Sequence, residues 1–178
     1  MPISILVTGG ARSGKSRFAQ AWGEARPAPR IYVATAGRHD SDPEMQERIA
    51  RHRAERERLW AETAETPLNP VTALQAAAQA GNQVAMMDCV TLWLNNLGHQ
   101  HDWNEQVILT AVDGLAAFLA APPLDIAVVT NEVGDGIVPD NALARRFRDL
   151  QGWANQRLAA AAHNVVLVVC GIPLEIKK

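Results

Sequence analysis

The chain has 178 residues, 48% of them hydrophobic and 20% charged, with 17 basic residues against 19 acidic ones and a formal net charge of −2. That apolar share excludes a disordered chain, and the near-neutral balance lacks the electrostatic footprint of a nucleic-acid binder. A chain of this length buries about 70% of the surface its unfolded form exposes, so a single domain, residues 1–178, is expected to hold its core without staples. The two cysteines, Cys89 and Cys170, show neither CxxC spacing nor an accompanying histidine pattern. They fit a reducing compartment, and a cytoplasmic location is expected. The first residues, MPISILVTGG, lack a basic n-region and are not read as a signal peptide. The longest apolar stretch, Leu115 to Val129, is broken by Pro122, Pro123 and Asp125, so no membrane span is expected.

In chain order, short apolar runs read as buried strands at Ile3 to Thr8, Ile31 to Thr35, Val84 to Asp88, Ile126 to Thr130 and Val165 to Cys170. Helical patterns lie between them, at Lys15 to Glu24, Pro43 to Trp60, Pro70 to Ala80, Leu92 to Leu97, Trp103 to Ala120 and Asn141 to Ala162. Strands that are apolar on both faces and alternate with helices predict an α/β fold, a mostly parallel sheet with helices on both faces.

The loop after the first strand reads Gly9, Gly10, Ala11, Arg12, Ser13, Gly14, Lys15, Ser16, which matches GxxxxGK[ST] in the strand-loop-helix setting that the motif requires. Glycines let such a loop curl so that backbone N–H groups face one centre. Lys15 then reaches the β and γ phosphates of a nucleotide, Ser16 offers its hydroxyl to Mg²⁺, and the helix N-terminus adds partial positive charge. Lysine usage agrees, for only Lys15, Lys177 and Lys178 are lysine while fourteen basic residues are arginine. A compact ammonium is kept at the position where a planar guanidinium does not substitute.

The apolar strand Val84 to Asp88 ends in a carboxylate, which beside a P-loop is the position of a Mg²⁺ partner; the plain alternative is a helix N-cap. In the helix expected from Pro43 to Trp60, with Asp42 as its N-cap, Arg48, His52 and Arg56 recur every four residues and share a face. Such a face can be a solvated stripe of Glu and Arg pairs. That is the usual role of a charge-rich helix; the functional alternative is that the two guanidiniums hold a polyphosphate while His52 attacks phosphorus. After the fourth expected strand comes Asn131-Glu132-Val133-Gly134-Asp135-Gly136, a loop at a strand's carboxyl end, where open α/β sheets bind ligands. Glu132 is a candidate base, a metal-shell carboxylate or an exposed turn residue. No NKxD motif accompanies the loop, which argues against a signalling GTPase. The remaining histidines, His39, His99, His101 and His163, show no ligand spacing, and Trp22, Trp60, Trp93 and Trp153 are expected to pack rather than stack on substrate.

Taken together, TGGARSGKSRFA (Thr8 to Ala19), YVATA (Tyr32 to Ala36), DPEMQERIARHRAERERLW (Asp42 to Trp60), DCVTLWLNN (Asp88 to Asn96), the stretch from Thr130 to Ala159 and the closing GIPLEIKK resemble one family. It is the bifunctional adenosylcobinamide kinase and adenosylcobinamide-phosphate guanylyltransferase family of cobalamin biosynthesis. The resemblance implies a RecA-like P-loop NTPase fold that assembles into homo-oligomers, trimers among them. It implies two reactions: ATP or GTP phosphorylates adenosylcobinamide, a corrinoid, and GTP then gives GMP to an enzyme histidine and on to the new phosphate. The histidine of the RIxxH segment falls on His52. Lys15, Ser16 and Asp88 fall on the phosphate and Mg²⁺ positions, and Glu132 on the glutamate of the NEVG loop. The alternative reading is a P-loop kinase or ATPase of another small molecule, in which His52 is idle.

Overall fold

The computed structural model describes residues 1–36, 60 and 62–178. The expected helix from Pro43, with Arg48, His52 and Arg56, lies outside the described residues, as does His39.

A seven-stranded sheet carries the fold, in the order β3-β2-β4-β5-β1-β6-β7. Its strands are β1 (Ser4–Thr8), β2 (Arg30–Ala34), β3 (Glu62–Glu65), β4 (Val84–Asp88), β5 (Asp125–Val129), β6 (Asn164–Val169) and β7 (Ile172–Lys177). All neighbours run parallel except β6 and β7, which pair antiparallel. Among the described residues the helices are α1 (Lys15–Glu24), α2 (Pro70–Gln79), α3 (Val90–Gln100), α4 (Glu105–Ala120) and α5 (Ala142–Ala161).

The period-2 alternation within each central strand divides the core in two. Ile5 and Val7, Val84 and Met86, and Ala127 and Val129 face α1, joined by Ala19, Tyr32, Trp60 and Val166. Leu6, Ala85, Met87, Ile126 and Val128 face the opposite way, against Leu74 of α2, Trp93 and Leu94 of α3, Ile108 and Leu115 of α4, and Leu150 and Leu158 of α5. The strands are apolar on both sides because both sides are covered, as a parallel sheet requires.

Five strands and four helices stand within two residues of their expected bounds. Two strands were not expected. β3 has the sequence ETAE, without an apolar pattern, and its register on β2 makes it a strand. β7 follows a two-residue turn in which Cys170 (φ 53°) and Gly171 (φ 81°) both take the left-handed conformation of a hairpin. Helix α4 starts at Glu105 rather than Trp103, because Asp102 and Trp103 are left-handed and the Asn104 side chain accepts from Val107 N–H as the cap. One tryptophan expectation is corrected: Trp153 projects from α5 with 42% of its surface exposed, whereas Trp60 packs as expected, buried against Tyr32.

Candidate active site

The carboxyl ends of β1, β4 and β5 lie on one edge of the sheet. Val129 pairs with Val7 on one side and with Asp88 on the other, so Asp88 stands two strands from the root of the P-loop. With neighbouring strands 4.7–4.9 Å apart, that is a span of about 10 Å.

The loop from Gly9 to Ser16 is built by conformations that most residues avoid. Gly9 has φ 151°, and a Cβ there would meet the Val168 carbonyl oxygen at 2.5 Å. Gly14 has φ 96° and forms the N-cap of α1; Arg12, between them, is also left-handed at φ 57°. Ser13 N–H donates to Gly10 O at 3.3 Å and closes the turn. Lys15 is only 8% exposed, and its Nζ donates to Gly10 O at 2.9 Å, so the ammonium is held across the loop rather than extended into solvent. The first N–H groups of α1, which no helix satisfies internally, open beside it. The hydroxyls of Thr8 and Ser13 are buried here without a hydrogen-bond partner among the described residues.

Neighbouring elements fix the loop from two sides. Gly171 N–H, in the β6–β7 turn, donates to Ser13 O at 2.8 Å, and Glu132 N–H, after β5, donates to Gly9 O at 3.1 Å. The expected phosphate loop and the expected glutamate loop are therefore joined backbone to backbone. The Glu132 carboxylate turns back to accept from Gly134 N–H at 2.9 Å, and the Arg148 guanidinium donates to the Gly134 carbonyl. Arg145 donates to the carbonyls of Pro139 and Asp140 at 2.9 and 2.6 Å. Between these two clamps Ile137 and Val138 are held out in solvent.

Asp88 is half-buried, and its Oδ2 accepts from the Tyr32 hydroxyl at 2.7 Å. The Thr35 hydroxyl donates to Cys89 O and accepts from Cys89 N–H, both at 2.7 Å, which fixes the chain after the carboxylate. Burial pushes the Cys89 thiol up to about 12, and the neighbouring Asp88 charge adds to the shift. Asn96 of α3 donates to the carbonyls of Thr35 at 2.8 Å and Pro67 at 3.1 Å.

Lys15, Ser16, Asp88 and Glu132 thus converge on one sheet edge. The contributions of Tyr32, Thr35 and Asn96 carry no motif. Tyr32 and Thr35 stand in the YVATA run and Asn96 in the DCVTLWLNN run, but only the folded register shows what they hold. Among the described residues no three His, Cys, Asp or Glu side chains cluster as a metal cage. A hydroxyl at a helix start with one carboxylate is instead the donor set suited to Mg²⁺ that keeps most of its water and takes phosphate oxygens. No described helix is long and apolar enough to cross a membrane.

The comparison with known proteins agrees with this geometry. Residues 5–176 match the CobU family, described as cobinamide kinase / cobinamide phosphate guanyltransferase. The chain is 43% identical to the bifunctional adenosylcobalamin biosynthesis protein CobU of Salmonella typhimurium, over 98% of this chain and 100% of that protein. It is 42% identical to the protein of that name from Escherichia coli, with the same coverage. The bifunctional adenosylcobalamin biosynthesis protein CobP of Pseudomonas aeruginosa is 40% identical, over 97% of this chain and 96% of its own length. A Walker cradle on the edge of a parallel sheet and similarity from end to end lead to one assignment: the chain belongs to the cobinamide kinase / cobinamide phosphate guanyltransferase family.

Proposed function

We propose that one domain, residues 1–178, carries both reactions at the sheet edge around Lys15, with His52 as the residue that bears GMP. In the first reaction the hydroxyl oxygen of adenosylcobinamide attacks the γ-phosphorus of ATP or GTP, the nucleoside diphosphate leaves, and the hydroxyl proton passes to a base. Glu132 is assigned to that proton or to the shell of a cation, a reading supported by the bond of its backbone N–H to Gly9 O. In the second reaction the neutral imidazole of His52 attacks the α-phosphorus of GTP, the bond to the β-phosphate oxygen breaks, and pyrophosphate leaves. An oxygen of the new corrinoid phosphate then displaces the imidazole, giving adenosylcobinamide-GDP and the free histidine.

Lys15 and the N–H groups of the loop from Gly9 to Ser16 bind the phosphates and spread their negative charge. Ser16 and Asp88 would hold Mg²⁺, which supplies charge neutralisation along the polyphosphate. The Tyr32 hydroxyl, donating to Asp88 Oδ2, holds the carboxylate at the strand end. Arg48 and Arg56 flank His52 in the sequence and are assigned to the same polyphosphate. The exposed pair Ile137 and Val138 offers apolar surface to a corrinoid, which is large and partly apolar. Two free cysteines accord with a cytoplasmic enzyme. A homo-oligomer, a trimer in the first instance, is part of the proposal, supported by the uncovered apolar edge of β7.

The observation that carries the reading is the buried Lys15 in a glycine-shaped cradle, fixed to the Glu132 loop, in a chain of this family. Incubation with α-labelled GTP and Mg²⁺ tests it. Wild type should acquire an acid-labile, base-stable label that His52→Ala lacks. Equal labelling of the two proteins would remove His52 from the mechanism.

A further inference from the structure

The carboxyl ends of β4 and β5 carry the two acidic residues of the site, Asp88 and Glu132, on separate loops that must keep a fixed separation. One side-chain hydroxyl joins the two loops. Thr91 Oγ1, in the first turn of α3 and three residues after Asp88, accepts from both the backbone N–H of Asn131 at 3.1 Å and its side-chain Nδ2 at 3.0 Å. Asn131 directly precedes Glu132, whose own N–H is bonded to Gly9 O. From the other side, Asn155 of α5 donates through Nδ2 to Asn131 O at 3.0 Å. Asn155 Oδ1 in turn accepts from the Thr130 hydroxyl at 2.7 Å and from Gln151 Nε2 at 2.9 Å, and Gln151 Nε2 also donates to Thr130 Oγ1 at 3.0 Å. Thr130 and Gln151 are fully buried. The backbone N–H, side-chain Nδ2 and backbone carbonyl of Asn131 are thereby committed, the two donors to α3 and the carbonyl to α5.

We propose that Thr91 is a positioning residue for both reactions: its hydroxyl locks the Glu132 loop to the Asp88 strand end, and Asn155 holds the opposite flank of that joint. The network acts by confining two carboxylates and the P-loop carbonyl of Gly9 to one rigid unit, and group transfer is sensitive to displacements well under an ångström in such a constellation. The inference rests on the reading of Asp88 and Glu132 as working groups of the site.

Thr91→Val and Thr91→Ser separate the hydroxyl from the shape. Valine keeps the volume and leaves two N–H donors of Asn131 without their acceptor; serine keeps the acceptor. In Thr91→Val the kcat of both reactions should fall about tenfold or more, with the Kd for GTP, measured by calorimetry, within about twofold of wild type. Thr91→Ser should restore kcat to near the wild-type value. Wild-type kcat in Thr91→Val, an equal fall in both variants, or a loss of GTP affinity parallel to the loss of kcat would each overturn the proposal. Should Thr91→Val fail to fold, Asn155→Ala opens the joint from α5 and should show the same split between kcat and Kd. Glu132→Gln and Asp88→Asn are run beside them. If neither lowers kcat, the reading of the site fails; if they do and Thr91→Val does not, only the role of Thr91 fails.

Discussion

Lys15 is the single lysine ahead of the C-terminal pair, and its environment explains why arginine does not stand there. Its ammonium is buried and bonded to Gly10 O inside a loop so tight that a Cβ on Gly9 would collide with a backbone carbonyl. A guanidinium is planar and wider, and it keeps the charge without fitting the cradle. Lys15→Ala should lower kcat/KM of both reactions about a hundredfold or more, and Lys15→Arg should recover little of it, as steady-state assays with each half reaction will show. The two cysteines divide just as sharply. Cys89 is buried with its thiol raised to about 12, mainly by burial, whereas Cys170 is exposed in the β6–β7 turn. At neutral pH iodoacetamide should label Cys170 alone in the folded protein, read by mass spectrometry of the peptides. A raised folded-state value means that the protonated thiol favours the fold. That contribution is complete below pH 9, the ordinary value, and is lost as pH rises towards 12. Thermal unfolding of Cys89→Ala should therefore be less sensitive to pH across that window than unfolding of the wild type.

Among the elements, two glycines on helices call for opposite outcomes. Gly98 in α3 lies against the face of Trp103, where a Cβ would stand 2.6 Å from ring carbons. Trp103 cannot withdraw, because its N–H donates to Gly98 O at 2.8 Å and its ring meets His99 and Phe147 edge to face. Gly98→Ala should destabilise by about 1–3 kcal/mol. Gly114 in α4 is exposed with nothing within 4 Å of a built Cβ, so Gly114→Ala should stabilise by about 0.5–1 kcal/mol. Urea unfolding of the two variants decides both. The same contrast marks what a sequence can reveal about elements. The central strands were legible because burial on both faces leaves continuous apolar runs, and α1 because its glycine loop and lysine announce it. β3 was not, since ETAE acquires its conformation from pairing with β2. In the site, Lys15, Ser16 and Asp88 follow from local motif and strand end. Thr91, Asn131 and Asn155 meet across 24 to 40 residues of chain, a juxtaposition that only the sheet order creates.

At the scale of the whole molecule, β7 is the last strand on its side of the sheet among the described residues. β7 exposes Ile172, Leu174 and Ile176 at 70, 56 and 58%, and Val169, paired with Ile172, at 52%. Leu174 faces Leu167 across the pair, so these residues form one apolar surface rather than scattered contacts. Natural sheets rarely leave such an edge to water, because unpaired backbone and apolar side chains together invite association. Closure by copies of the same chain is the outcome expected here. Wild-type protein should sediment as a homo-oligomer of the 19.3 kDa chain, and Leu174→Lys with Ile176→Lys should release the monomer. A monomeric wild type at micromolar concentration would refute this. The edge is also coupled to the chemistry, for the turn that launches β7 donates Gly171 N–H to Ser13 O in the phosphate cradle. If the released monomer also binds GTP more weakly than wild type in calorimetry, assembly and the P-loop are linked through that turn; unchanged affinity confines the role of β7 to assembly.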